Sequence, residues 1–133
     1  MILDGIRNNF EETVRKINQF AFSRKVLVDL IEKSLSFMSQ CRPEVLYGDF
    51  LACDRFDRMS EVEKIILPTL ILYGDDDQLT PVKYSQFLNS RIKGSRLEVL
   101  PNAGHMVMME AAQAFNDRVR EFILEILSRV RQT

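Results

Sequence analysis

The sequence predicts an α/β chain: helices first, then a strand–helix–strand–helix unit with two parallel strands. Three observations carry this reading. Before Pro68, apolar residues recur at spacings of three and four, the period of a helix face. After it, two short apolar runs, "TLILYG" and "RLEVLP", are rich in β-forming residues and stop at glycine and proline. A helix-like stretch separates the runs, and a crossover of that kind leaves neighbouring strands parallel.

The elements follow in order. Phe10, Val14, Ile17 and Ala21 share one helical face. Leu27, Leu30, Ile31, Leu35 and Met38 repeat the pattern up to Arg42-Pro43, where proline disfavours a helical residue before it and suits a new first turn after it. Leu46, Phe50 and Cys53 mark a third helix ending near Asp57. Ser60 and Glu63 have capping-box spacing and predict one further turn. "TLILYG" is wholly apolar, as expected of a strand covered on both faces. Thr80-Pro81 predicts a helix with threonine as N-cap and proline at its first position, carrying Tyr84, Phe87, Leu88 and Ile92 and closing at Lys93-Gly94. After "RLEVLP" and the loop "NAGHM", a last helix begins near Glu110, with Phe115, Val119, Phe122, Ile123, Ile126 and Val130 as its buried face.

Composition narrows the function classes. With 133 residues, 46% apolar and 28% charged, the chain is an ordinary globular one with enough length for a core. A net charge of −1 gives no electrostatic reason to expect nucleic acid or an anionic membrane as partner. Cys41 and Cys53, both read as helical, are too few for a disulfide framework and suit a reduced, cytoplasmic setting. No apolar run approaches the roughly 20 residues of a membrane span, and "MILDGIRNN" lacks the pattern of a signal peptide.

In an open parallel sheet, chemistry gathers in the loops at the carboxyl ends of the strands. Both unusual polar loops of this chain belong there: Asp75–Asp77 after the first strand, and His105, the single histidine, after the second. An imidazole acting as a general base needs an acceptor to orient it, and a carboxylate on the adjacent strand end suits that role. Three adjacent carboxylates repel one another, so Asp75 and Asp76 are expected to remain solvated turn residues. An aspartate in such a loop also commonly caps a helix, and an acidic cluster after a strand suits Mg²⁺, but no second acidic motif completes a metal site here.

"PTLILYGDDDQLTP", then "RLEVLPNAGHMVMME" and a long amphipathic C-terminal helix, resemble the last third of an α/β-hydrolase. In that family the triad acid stands three residues past the glycine that ends its strand, before a helix opening in proline. Counted from Gly74 this falls on Asp77, with Pro81 following. The family's histidine sits in a Gly-His pair after the last strand, matching Gly104-His105, and the order acid-then-histidine agrees. The resemblance implies that residues 1–58 are a lid-like helical segment with the helix leading into the sheet, and that 59–133 are the βαβα end of the core. It implies Asp77 and His105 as catalytic residues and requires neither metal nor organic cofactor.

The family also needs a nucleophile elbow, G-x-S-x-G, and oxyanion-hole donors, and no such motif occurs in these 133 residues. Cys41 and Cys53 do not stand on the sharp turn a substitute nucleophile needs. The expectation is therefore a C-terminal piece of a hydrolase acting on a carboxylic ester or related carbonyl compound, inactive alone. Its small-molecule substrate would be bound only in the intact enzyme. The alternative is a non-catalytic interaction module built from the same fold. Two strands cannot cover a run as apolar as "TLILY", so a homodimer, or association with an N-terminal part of the enzyme, is expected. Met106, Met108 and Met109 are read either as acyl-pocket lining or as core filler, and Phe20, Phe22, Phe37 and Met38 as packing among themselves.

Overall fold

The computed structural model describes residues 2–131; Met1, Gln132 and Thr133 lie outside the described residues. Four helices come first: α1 (Ile2–Asn8), α2 (Phe10–Ala21), α3 (Val28–Ser39) and α4 (Pro43–Arg55). A single 3₁₀ turn (Val62–Lys64) leads to β1 (Leu70–Gly74), α5 (Lys83–Arg91), β2 (Arg96–Leu100), α6 (Val107–Glu110) and α7 (Ala112–Val130).

The helical part closes on one apolar cluster. Ile6, Val14, Ile17 and Leu46 are buried, with Phe10, Leu35, Met38, Tyr47 and Phe50 packed around them. Burying each such aliphatic side chain stabilises the fold by about 1.5–3 kcal/mol. Helix α1 is absent from the sequence reading, because Gly5 and Asn8-Asn9 look like a turn. Gly5 is instead a packing residue: a Cβ there would strike the Thr13 side chain, so α1 and α2 meet through its bare backbone. Pro43 occupies the first turn of α4, as its fixed φ favours.

β1 and β2 pair in parallel, in register from Leu70 opposite Arg96 to Gly74 opposite Leu100. The pairing continues past the sheet. Asp75 N–H donates to Leu100 O (3.3 Å) and Asp76 N–H to Ala103 O (3.0 Å). Gly74 makes that continuation possible, since a Cβ at this position would run into the carbonyls of Ala103 and Gly104. A second cluster, Leu100, Ala103 and Val107 with Ala111 and Phe115, lies beneath these loops.

Several expectations are corrected. Helix α5 starts at Lys83 rather than at Pro81, and the Thr80 hydroxyl bonds Asp77 instead of capping it. Ser60 makes no side-chain cap bond to the 3₁₀ turn. β1 is not covered on both faces: only Ile71 and Gly74 are buried. The last helix is broken at Ala111, and its apolar stripe is only half-covered. Phe115, Val119, Phe122 and Ile126 are partly buried, but Ile123 and Val130 are exposed. Cys41 lies in the bend between α3 and α4, not in a helix. Phe22 is buried, whereas Phe20 and Phe37 are exposed rather than packed. Met108 is exposed, and Met106 and Met109 are partly buried.

Candidate functional site

Register places the site. Because Gly74 and Leu100 are paired strand ends, the loops beyond them run side by side, and residues 28 apart in sequence come into contact. Asp77 Oδ2 lies 3.0 Å from His105 Nδ1. The Asp77 side chain is only 7% exposed and that of His105 41%.

The carboxylate is held from both sides. Oδ1 accepts the backbone N–H groups of Leu79 (2.9 Å) and Thr80 (2.8 Å), and Oδ2 accepts the Thr80 hydroxyl at 2.7 Å. Asp77 thus organises its own turn and binds the histidine with the same group. Partial burial raises its pKa, but the Thr80 amide and hydroxyl, and then His105, outweigh this and hold the carboxyl below the usual aspartate value. An ionised Asp77 accepts only, so Nδ1 of a neutral His105 carries the proton and Nε2 is left as the acceptor. Thr80 Oγ also lies 3.1 Å from Nδ1, which closes a three-membered polar cluster. Such an arrangement can take a proton from a hydroxyl presented to Nε2 and hold the resulting imidazolium.

The three aspartates have three environments. Asp75 is exposed. Asp76 is not a solvated turn residue: it accepts from Arg24 N–H (2.7 Å), Arg24 Nε (3.0 Å) and Arg24 Nη2 (2.5 Å). The guanidinium bonds, followed by the backbone bond, hold its carboxyl below the ordinary range. With one of the three carboxylates spent on Arg24 and another on His105, the run does not converge on a cation. Among the described residues no group of three His, Cys, Asp or Glu side chains is arranged to hold a metal.

Arg24 belongs to a strap, residues 21–25, which crosses both loops. Ala21 O accepts Met106 N–H (3.1 Å), Phe22 O accepts the Gln78 amide (3.4 Å), and Lys25 Nζ donates to Asn102 Oδ1 (3.0 Å). Glu110 completes it, accepting Ser23 N–H and Gly104 N–H, both at 2.9 Å. Sequence reasoning missed Thr80 as a partner of the pair, missed Arg24 altogether, and read Glu110 only as the start of the last helix. Charged residues set between apolar ones, Arg24-Lys25 in "AFSRKVLV" and Glu110 in "VMMEAA", are the sole local signal for the latter two. An open cleft of about 630 Å³ lies between Ile2, Leu3, Phe50 and Cys53 on one side and Leu79 and Tyr84 on the other.

Known proteins agree with this architecture. A pimeloyl-(acyl-carrier protein) methyl ester esterase of Neisseria meningitidis is 32% identical over 128 residues, 95% of this chain and 41% of its own length. A thermophilic esterase of known structure superposes with a TM-score of 0.84 at 35% identity, covering 94% of this chain and 50% of its own. An enol-lactonase from Burkholderia xenovorans gives a TM-score of 0.85 at 20% identity over 92% of this chain and 48% of its own, a likeness of fold alone. The chain thus spans about half the length of the curated relatives it matches. Among the described residues no helix is long and apolar enough to cross a membrane. The profile of the alpha/beta hydrolase fold family matches residues 8–112, and the chain belongs to that family.

Proposed function

We propose that Asp77 and His105 are the acid and base of a hydrolase triad acting on a carboxylic ester or a related carbonyl compound, and that the nucleophile is supplied by polypeptide other than these 133 residues. The reading rests on one observation above all, the 3.0 Å contact between Asp77 Oδ2 and His105 Nδ1 with Thr80 bonded to the same carboxylate. The absence of any G-x-S-x-G here and the half-length matches to esterases support the second clause. In the assembled enzyme Asp77 keeps the proton on Nδ1, and Nε2 of His105 takes the proton of the attacking serine and returns it to the leaving group. No cofactor is needed for that sequence. Alone, the chain has a base with nothing to activate. Residues 1–58 then serve as lid and lead-in helix, and the open cleft beside Leu79 and Tyr84 as substrate space.

Co-expression with a polypeptide carrying the G-x-S-x-G half tests this. Ester hydrolysis is expected only from the pair, and His105→Ala should lower it by about 10⁶-fold. Hydrolysis by the isolated chain, abolished in His105→Ala, would overturn the missing-nucleophile account. An in-frame G-x-S-x-G in the genomic DNA about 100–150 residues upstream of Met1 is expected, a distance set by ordinary domain size. A promoter directly upstream instead favours a module that binds and does not catalyse.

A further inference from the structure

The residues on either side of His105, Gly104 and Met106, are both tied to the strap through their backbone N–H groups. Met106 N–H donates to Ala21 O at 3.1 Å. Gly104 N–H donates to Glu110 Oε1, and the other oxygen of that carboxylate accepts Ser23 N–H. The packing leaves no slack between them. A Cβ on Gly104 would lie 2.5 Å from Ser23 N and 2.6 Å from Phe22 C, so strap and histidine loop are in direct backbone contact. The Ser23 and Gly104 N–H groups donate to the two oxygens of one carboxylate, and without it both would lack this acceptor. Glu110, at the end of α6, is that acceptor, and it is partly buried, where a charge-assisted bond is worth more than in water.

We infer that Glu110 is a positioning residue for His105: its carboxylate welds the Gly104 peptide to Ser23, so the seating of the helical segment's strap and the alignment of the imidazole on Asp77 form one equilibrium. The inference rests on the Asp77–His105 reading and adds to it how the base is held. It also gives the helical segment a task besides covering the site. Lifting the strap at Ala21–Ser23 frees the backbone of both neighbours of His105, Gly104 and Met106, and the ring then loses its fixed approach to Asp77.

The single histidine makes the test direct. With ¹⁵N-labelled imidazole in the full chain, wild type is expected to show one dominant Nδ1–H tautomer. Asp77→Asn should abolish that preference; if it does not, the acid–base pairing itself is wrong. Glu110→Gln offers an amide N–H₂ to one of the two N–H groups. It should mix the tautomers and speed exchange of the Gly104 and Ser23 amides by roughly tenfold or more, as expected for a lost bond to a charged group. Glu110→Asp, which keeps the charge but shortens the reach, should recover part of the tautomer bias. A merely structural glutamate would lower the melting point and leave the tautomer ratio of the folded fraction untouched. That outcome, with Asp77→Asn behaving as expected, overturns the positioning role alone. If Glu110→Gln fails to fold, wild type still decides. The Gly104, Ser23 and Met106 amides should lose protection together with the Nδ1 proton, and an Nδ1 proton that stays protected while those amides exchange freely would refute the coupling.

Discussion

Arg24 and Asp76 meet twice, through the arginine's backbone N–H and again through its guanidinium, on the same carboxylate. The Arg24 side chain is 78% exposed and that of Asp76 18%. The two halves of the contact therefore differ in worth, because an exposed guanidinium is screened by water and must be ordered on a long side chain, while the backbone N–H is already held by the chain. Arg24→Ala is expected to change the urea midpoint little. Asp76→Ala should lower it more, since it leaves the Arg24 amide without its acceptor. Equal effects from the two variants would show that the side-chain ion pair carries the contact.

The strands, the loop beyond each and the pair Asp77/His105 were legible because each rests on a local signal. The apolar runs, Gly74 and Gly104-His105 are contiguous in the chain, and parallel register alone brings their ends together. The strap was not legible. Its partners are 52 and 87 residues apart for Arg24–Asp76 and Ser23–Glu110, and no periodicity encodes a backbone amide meeting a distant carboxylate. Helix α1 was hidden because Gly5 is there for close packing against Thr13, which resembles a turn signal when read along the chain. The start of α5 was misplaced for a related reason, the Thr80 hydroxyl being taken by Asp77. Charge pairing was equally silent. Arg96 and Glu98 of β2 engage Glu125 and Arg118 of α7, a pairing that the run "RLEVLP" does not announce.

Glycines give a contrast that separates space from conformation. Gly104→Ala must push backbone against backbone at Ser23 and Phe22, and overpacking of that kind costs about 1–3 kcal/mol. Gly48 sits exposed within α4 with open space around its missing Cβ. Gly48→Ala should stabilise by about 0.5–1 kcal/mol, the helix propensity gain. Gly94 also has open space, but its φ of +75° makes Gly94→Ala destabilising by about 1 kcal/mol. Chemical denaturation of the three variants checks the ordering, and a stabilised Gly104→Ala would contradict the strap contact.

Acid should act through Asp77. Its folded pKa lies below the unfolded value of about 3.9, because the Thr80 and His105 bonds outweigh partial burial. The unfolded chain therefore binds more protons than the native one between the two values. The stabilisation is complete above the unfolded pKa and is lost as pH falls through the folded one. Carboxyl ¹³C titration should find Asp77 ionised below pH 3.9 or so, and Asp77→Asn should flatten the fall of the urea midpoint in that acid window. A midpoint for Asp77 at or above the ordinary aspartate value would mean that burial wins and the carboxylate is not held as described.

The uncovered apolar surface predicts association. Among the described residues β1 and β2 form a two-stranded sheet, so each has one edge with no strand neighbour. Beside it Ile66 is 92% exposed and Leu67 71%, and α7 presents Leu124 at 59% and Leu127 at 47%. Leu124, Leu127 and Val130 recur at helical spacing, so they form a stripe and not scattered residues. A specific contact between copies buries about 1,200–2,000 Å² in total. In sedimentation equilibrium at micromolar concentration the isolated chain is expected as a two-fold dimer. Leu124→Lys with Leu127→Lys places like charges across that contact and should shift the equilibrium to monomer while leaving the folded signal of the Gly104 and Met106 amides intact. A polypeptide carrying the nucleophile half proposed above should compete with the dimer if it pairs with the same edge. A wild-type chain that sediments as a compact monomer throughout that range would refute the association, because the exposed stripe would then be tolerated by the single chain.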